Sequence, residues 1–156
     1  MKTVFSNIYA FCAQLEDRTL CAWGAPYDGG ELPEDLIGKK VKTVFSNITS
    51  FCAILEDGTM CAWGDPDCGG ELPEDLKGKK VKTVFSNCLA FCAVLEDGTM
   101  CAWGRQRYGG NLPESLRDKP IASFYREYNP RIHRLSDDAE PVPEEYATNP
   151  KQIRTK

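Results

Sequence analysis

"LEDGTMCAWG" occupies Leu55–Gly64 and recurs unchanged at Leu95–Gly104, while "LEDRTLCAWG" stands at Leu15–Gly24. The copies are 40 residues apart, and the likeness extends well beyond them. Residues 1–40 and 41–80 agree at 30 positions, and 41–80 and 81–120 agree at 27. Self-similarity at a fixed period of this length marks propeller blades, solenoids or three-fold β folds.

Within the decisive stretch, Asp57-Gly58 separates two apolar runs, a strong short-range signal for a β-hairpin. Hairpins are therefore predicted near residues 10–23, 50–63 and 90–103. A two-residue turn would pair Leu55 with Met60, Ile54 with Cys61, Ala53 with Ala62 and Cys52 with Trp63. One face would then carry Cys52, Ile54, Cys61 and Trp63. The other would carry Phe51, Ala53, Leu55, Met60 and Ala62. Both faces are apolar. A sheet wetted on one side alternates apolar with polar, so each hairpin must be covered on both sides, as in stacked sheets.

Working outward, "KTVFSN" at Lys42–Asn47 is short, β-branched and aromatic, and reads as a further strand. "WGDPDCGGELPEDL", after the hairpin, reads as a turn-rich connection whose "LPEDL" makes one helical turn. The fold expected is all-β: three antiparallel, blade-like repeats at 1–40, 41–80 and 81–120, propeller-like in arrangement. A β-trefoil is the alternative, since three such units also suit three-fold closure. Contrasting end units argue against it. "PIASFYRE" at Pro120–Glu127 and "RIHRLSDD" at Arg131–Asp138 align at the same period as a decayed half repeat over 121–138, with a strand near 121–126. The repeat domain is thus expected over 1–138, and the proline-rich segment 139–156 as an extended or disordered tail.

At this point a family resemblance is visible. "AFCAVLEDGTMCAWGRQRYGGNL" at Ala90–Leu112 resembles the repeats of the regulator-of-chromosome-condensation (RCC-type) family, in a short variant of about 40 residues. Ala93, Leu95, Asp97-Gly98, Trp103-Gly104 and Gly109-Gly110 carry the likeness. The resemblance implies β-propeller blades, which in that family usually close rings of about seven. It does not imply the exchange-factor activity of the founding member, because a fold alone does not give function.

The net charge of −4 is spread as −2, −3, +1 and 0 over residues 1–40, 41–80, 81–120 and 121–156. Nothing in it draws the chain to nucleic acid or to an anionic membrane, and no apolar run reaches the length of a span. The opening "MKTVFSN" returns in the interior as "VKTVFSN", so it reads as a strand rather than a leader, and a cytoplasmic chain is expected. The eight cysteines are then expected as free thiols. None shows C-x-x-C spacing, Cys52 and Cys61 would sit diagonally on one face, and no metal site is expected. With His133 as the single histidine, no catalytic constellation and no cofactor are expected. The acid pairs Glu56-Asp57 and Glu74-Asp75 lie in turns, where Asp serves the backbone.

The differences between copies point to function. "APYD" at Ala25–Asp28 becomes "DPDC" at Asp65–Cys68 and "RQRY" at Arg105–Tyr108. One loop changes from acidic to basic on a constant frame, and loops are where repeat proteins place their contacts. The expectation is a non-catalytic protein-interaction module whose unlike loops meet a protein partner through Tyr27, Asp28, Asp65, Asp67, Arg105, Arg107 and Tyr108. A lectin-like binder with one site per repeat is the alternative, but it needs contact residues that repeat. Finally, an open stack leaves apolar ends. Cys12, Cys21 and Trp23 are expected uncovered at one end, softened by Gln14, with Phe91, Leu95 and Met100 toward the other. Gln14 and Trp23 are therefore candidate interface residues, for a homodimer or for docking of this end onto a larger partner.

Overall fold

Three residues, not two, close each hairpin of the computed structural model, which describes residues 3–120. In the second repeat the Gly58 N–H donates to the Leu55 carbonyl at 2.9 Å, and the Leu55 N–H donates to the Thr59 carbonyl at 2.8 Å. Glu56-Asp57-Gly58 is thus a type I turn followed by a left-handed residue, Gly58 at φ +91°. The two-residue turn would also need a positive φ at Asp57, and Asp57 has none. Its carboxylate is engaged elsewhere: Oδ1 accepts from the Thr59 N–H at 2.9 Å and from the Thr59 hydroxyl at 2.7 Å. Those bonds hold the Asp57 carboxyl below the usual carboxylate range, the hydroxyl contributing most. The first repeat builds the same loop with Arg18 at φ +75° in the glycine's place. Left-handed backbone at a side-chain-bearing residue costs about 1 kcal/mol, and the Arg18 guanidinium reaches Glu56 of the next repeat.

The extra loop residue shifts the register by one, which turns one strand of the expected hairpin over. Ile54 pairs with Met60, Ala53 with Cys61, Cys52 with Ala62 and Phe51 with Trp63. Trp63 therefore shares a face with Phe51, and their rings stack with centroids 5.2 Å apart. Cys52 and Cys61 fall on opposite faces, not diagonally on one. The deduction that both faces are apolar survives the correction, because the hairpin strands are apolar at every position but Gln14 and Ser50.

Three separate three-stranded antiparallel sheets result. The first is β1 (Thr3–Ser6), β2 (Ala10–Gln14) and β3 (Leu20–Gly24); the second is β4 (Val41–Ser46), β5 (Ser50–Leu55) and β6 (Met60–Gly64). The third is β7 (Val81–Ser86), β8 (Ala90–Leu95) and β9 (Met100–Gly104). Each "LPEDL"-type segment forms one short helical turn, at Glu34–Leu36, Glu74–Leu76 and Glu114–Leu116. This is the all-β, blade-like arrangement expected; among the described residues the three sheets stay separate and share no three-fold barrel, so the trefoil alternative falls. The half repeat at 121–138, its strand near 121–126, His133 and the tail at 139–156 lie outside the described residues.

The sheets stack with a direction. Ala10, Cys12 and Leu20 of the first pack on Phe51, Ala53 and Trp63 of the second. Cys52, Ile54 and Met60 of the second pack on Phe91, Ala93, Leu95 and Trp103 of the third. Backbone and side-chain bonds repeat at each junction. Ile8 N–H donates to the Ile48 carbonyl at 3.2 Å and Ile48 N–H to Cys88 at 3.1 Å. The Ser46 hydroxyl donates to the Ser6 carbonyl and that of Ser86 to Ser46, each at 3.0 Å. Burying a Phe–Trp pair at every junction supplies several kcal/mol each.

The register also corrects the expected ends. Cys12, Phe91 and Leu95 are buried between sheets rather than uncovered. Gln14 faces the second sheet, where its amide donates to the Val41 carbonyl at 2.6 Å. Gln14 and Trp23 thus do not share a face.

Candidate functional site

The rim of the stack is built by one device used three times. After each Trp-Gly, the chain makes a short helical turn at Pro26–Asp28, Pro66–Cys68 and Gln106–Tyr108. An asparagine at the end of the first strand of each sheet ties this turn down. Asn7 Nδ2 donates to the Asp28 carbonyl at 2.8 Å, Asn47 to Cys68 at 2.6 Å and Asn87 to Tyr108 at 2.7 Å. The Asn47 Oδ1 also accepts from the N–H groups of Thr49 and Ser50, at 3.0 and 2.8 Å. One side chain therefore fixes both the strand turn and the rim loop. Sequence reasoning passed over Asn7, Asn47 and Asn87. The signal was present: each is the polar residue that ends "TVFSN" in every repeat.

On this frame the unlike residues form a row. Tyr27 is exposed and lies beside the second repeat's loop. The Asp65 carboxylate, then partial desolvation, then Asp67 raise its phenol above the ordinary value. Asp65 also accepts from the Asp67 N–H at 3.0 Å, capping its own turn. Arg105 comes back across the same loop: its Nη2 lies 3.6 Å from Cys68 Sγ. Contact with Cys68, followed by the charges of Asp67 and Asp65, holds its guanidinium above its usual range. The structure therefore brings Tyr27, Asp65, Asp67 and Arg105 into one neighbourhood. Asp28 joins it through its charge on Tyr27. Arg107 lies over the ring of Tyr108, 5.9 Å from its centroid, and the pair is set apart at the third loop. The row runs from acidic to basic.

The first sheet presents a second candidate surface. Phe11 and Trp23 stack with centroids 5.4 Å apart, as their counterparts do, but are 46% and 48% exposed. Trp23 was singled out from sequence; Phe11 was not, because the assumed register put it on the opposite face. Trp63 Nε1 donates to the Gly29 carbonyl and Trp103 Nε1 to Gly69, each at 3.1 Å. Among the described residues no carbonyl meets Trp23 in this way.

Cys12, Cys52, Cys61 and Cys101 are not poised as nucleophiles. Burial pushes the Cys12 thiol up to about 12 and, as the first cause, Cys61 and Cys101 up to about 11, with Cys52 higher still. Thiols so held remain protonated and inert at neutral pH. Among the described residues no group of three metal-binding side chains occurs, and no helix is long and apolar enough to cross a membrane.

The class that the stacked, edge-bonded sheets define is the β-propeller. Solved structures that are similar are propellers too. The ectodomain of the receptor kinase CR4 from Physcomitrella patens matches with a TM-score of 0.51, at 19% identity, over 65% of this chain and 28% of its own. Human WBSCR16 matches at 0.51 and 17% identity, over 69% of this chain and 35% of its own. Prp20p of Saccharomyces cerevisiae, described with its binding to Gsp1p and histones, matches at 0.50 and 16% identity, over 65% and 32%. The chain spans about a third of the length of these proteins. No protein-family model and no curated protein sequence matches it.

Proposed function

We propose that this chain is an RCC-type repeat module of the cytoplasm that catalyses nothing and binds a protein partner along its rim. The repeat domain is taken to extend over 1–138. One observation carries the reading: three loops held by the same asparagine bond present unlike side chains in a row. Tyr27 and Asp28, Asp65 and Asp67, and Arg105, Arg107 and Tyr108 together make one asymmetric surface, acidic at one part and basic at another. Exposed tyrosines beside arginines are favoured contact chemistry at protein interfaces. A binder with one small-ligand site per repeat would need like groups in all three loops, and the rim does not present them. Prp20p, a propeller of similar fold that binds other proteins, is in keeping with this use.

The test is capture of partners from the native cell extract on the immobilised chain, beside Arg105→Ala/Arg107→Ala/Tyr108→Ala. Loop positions carry little of the fold, so the triple variant is expected to melt within about 2 °C of the natural chain. It should lose the partner that the natural chain retains. Equal retention by both chains would refute the rim as the binding surface.

A further inference from the structure

The two end sheets carry complementary halves of one junction. At both internal junctions the face that enters is the same set of residues. Val44, Phe51, Leu55 and Trp63 enter the first sheet's far face, and Val84, Phe91, Leu95 and Trp103 enter the second's. The first repeat carries the identical set, Val4, Phe11, Leu15 and Trp23, and here all four are exposed. No substitution has made this face polar.

The receiving half is equally well preserved at the other end. At an internal junction a backbone left bare by glycine receives the aromatic pair. A Cβ on Gly69 would lie 2.7 Å from the Phe91 ring, and one on Gly29 2.6 Å from the Phe51 ring. Gly109 holds the same left-handed backbone, φ +102°, but among the described residues a Cβ there would meet only Asn87 Nδ2, at 3.5 Å. The space is a cleft of about 200 Å³ whose lining includes Asn87, Ala90, Phe91, Cys92 and Gly109. Two of its counterparts one repeat back, Cys52 and Gly69, are among the residues on which Phe91 and Trp103 are seated.

We infer that copies of this chain associate head to tail, the Phe11–Trp23 face of one copy entering the Gly109 cleft of the next. The internal junctions supply the template and the bonds. Trp23 Nε1 donates to the Gly109 carbonyl, the Ser6 hydroxyl to the Ser86 carbonyl, and the Cys88 N–H to the Ile8 carbonyl. Pairing of two like ends offers Trp23 no such acceptor, and it mates two protruding aromatic faces. A contact between unlike surfaces closes a ring when its rotation permits, the smallest being two chains with two equal contacts.

The experiment uses two variants that each disable one half. Trp23→Ala removes the entering side chain from an exposed position. Cys92→Arg places a charge in the cleft, at a half-buried position of the third sheet. Light scattering across the micromolar range should give a discrete oligomer for the natural chain. Each variant alone should be monomeric, weakened at least ~30-fold, as for loss of a central contact. Mixing the two should restore a complex holding one copy of each, through the half that each retains. Unchanged melting of both variants shows that they fold; if Cys92→Arg does not, Ala102→Arg, directly across on the same face, replaces it. A monomeric natural chain overturns the inference. Persistent self-association of either variant alone overturns it in favour of like-to-like pairing. Arg105→Ala, whose side chain reaches back to Cys68 of the preceding repeat, should assemble as the natural chain does, which separates this inference from the proposed function.

Discussion

Phe11–Trp23 in the first repeat and Phe51–Trp63 in the second are the same two residues, at the same cross-strand positions, stacked within 0.2 Å of the same separation. One pair is half in water; the other is 0% and 4% exposed. The local sequence thus decides the geometry of the pair completely and its burial not at all. Burial comes from what stands in front of it: a bare glycine backbone and one carbonyl. The unit of stability in this protein is accordingly the junction, not the repeat, as in other arrays where each module contacts only its neighbours.

That contrast can be broken by truncating the tryptophans. Trp63→Ala should lose about 3–5 kcal/mol of unfolding free energy, because it empties a close-packed junction and orphans the Gly29 carbonyl. Trp23→Ala, assayed as a monomer, should lose about 1 kcal/mol or less. Urea denaturation followed by tryptophan fluorescence or far-ultraviolet dichroism measures both. Similar losses at the two sites would show that the first repeat's aromatic face is covered within the single chain.

The glycines sharpen the comparison from the receiving side. Gly69→Ala and Gly109→Ala share the same left-handed backbone strain, about 1 kcal/mol. Only Gly69→Ala also drives a methyl into the Phe91 ring, adding about 1–3 kcal/mol. The difference between the two variants, read from their denaturation midpoints, isolates the collision from the strain. Equal effects would mean that the third cleft is filled in the single chain.

The smallest effect is chemical rather than energetic. Cys21, Cys61 and Cys101 occupy one position in the three repeats; Cys21 is exposed and the other two are half-buried. In the Trp23→Ala monomer, limited alkylation at about pH 8 should modify Cys21 roughly 10-fold faster than Cys61 or Cys101. In the associated natural chain the gap should close. All eight cysteines should react in denaturant without reductant; a shortfall would expose a disulfide.

Much of this architecture is legible in the sequence because a repeat advertises itself. The period, three strands per unit, the short helical turn at "LPEDL" and the need to cover both faces all follow from composition and spacing. The register was not legible from Asp57-Gly58 alone, since that dipeptide serves both a two-residue and a three-residue loop. Thr59 decides between them by engaging Asp57 with its hydroxyl and its N–H, and its presence in every copy was the overlooked clue. Everything that depends on facing inherited the slip: Cys61 and Trp63 changed sides, Gln14 turned inward, and Phe11 went unnoticed. That these residues lie in loops is legible in the sequence; their row-like adjacency is not, because Tyr27 and Asp65 are neighbours only across a junction.

The directional junction has a consequence for how such a chain can change in length. Duplicating one 40-residue unit in the gene adds one entering face and one receiving face, and each buries the other. Whatever the number of units, the outermost surfaces stay the same in kind and in count. Recombination between copies can therefore lengthen or shorten the array, and reshuffle the order of its rim loops, without creating a new surface that selection must solve afresh.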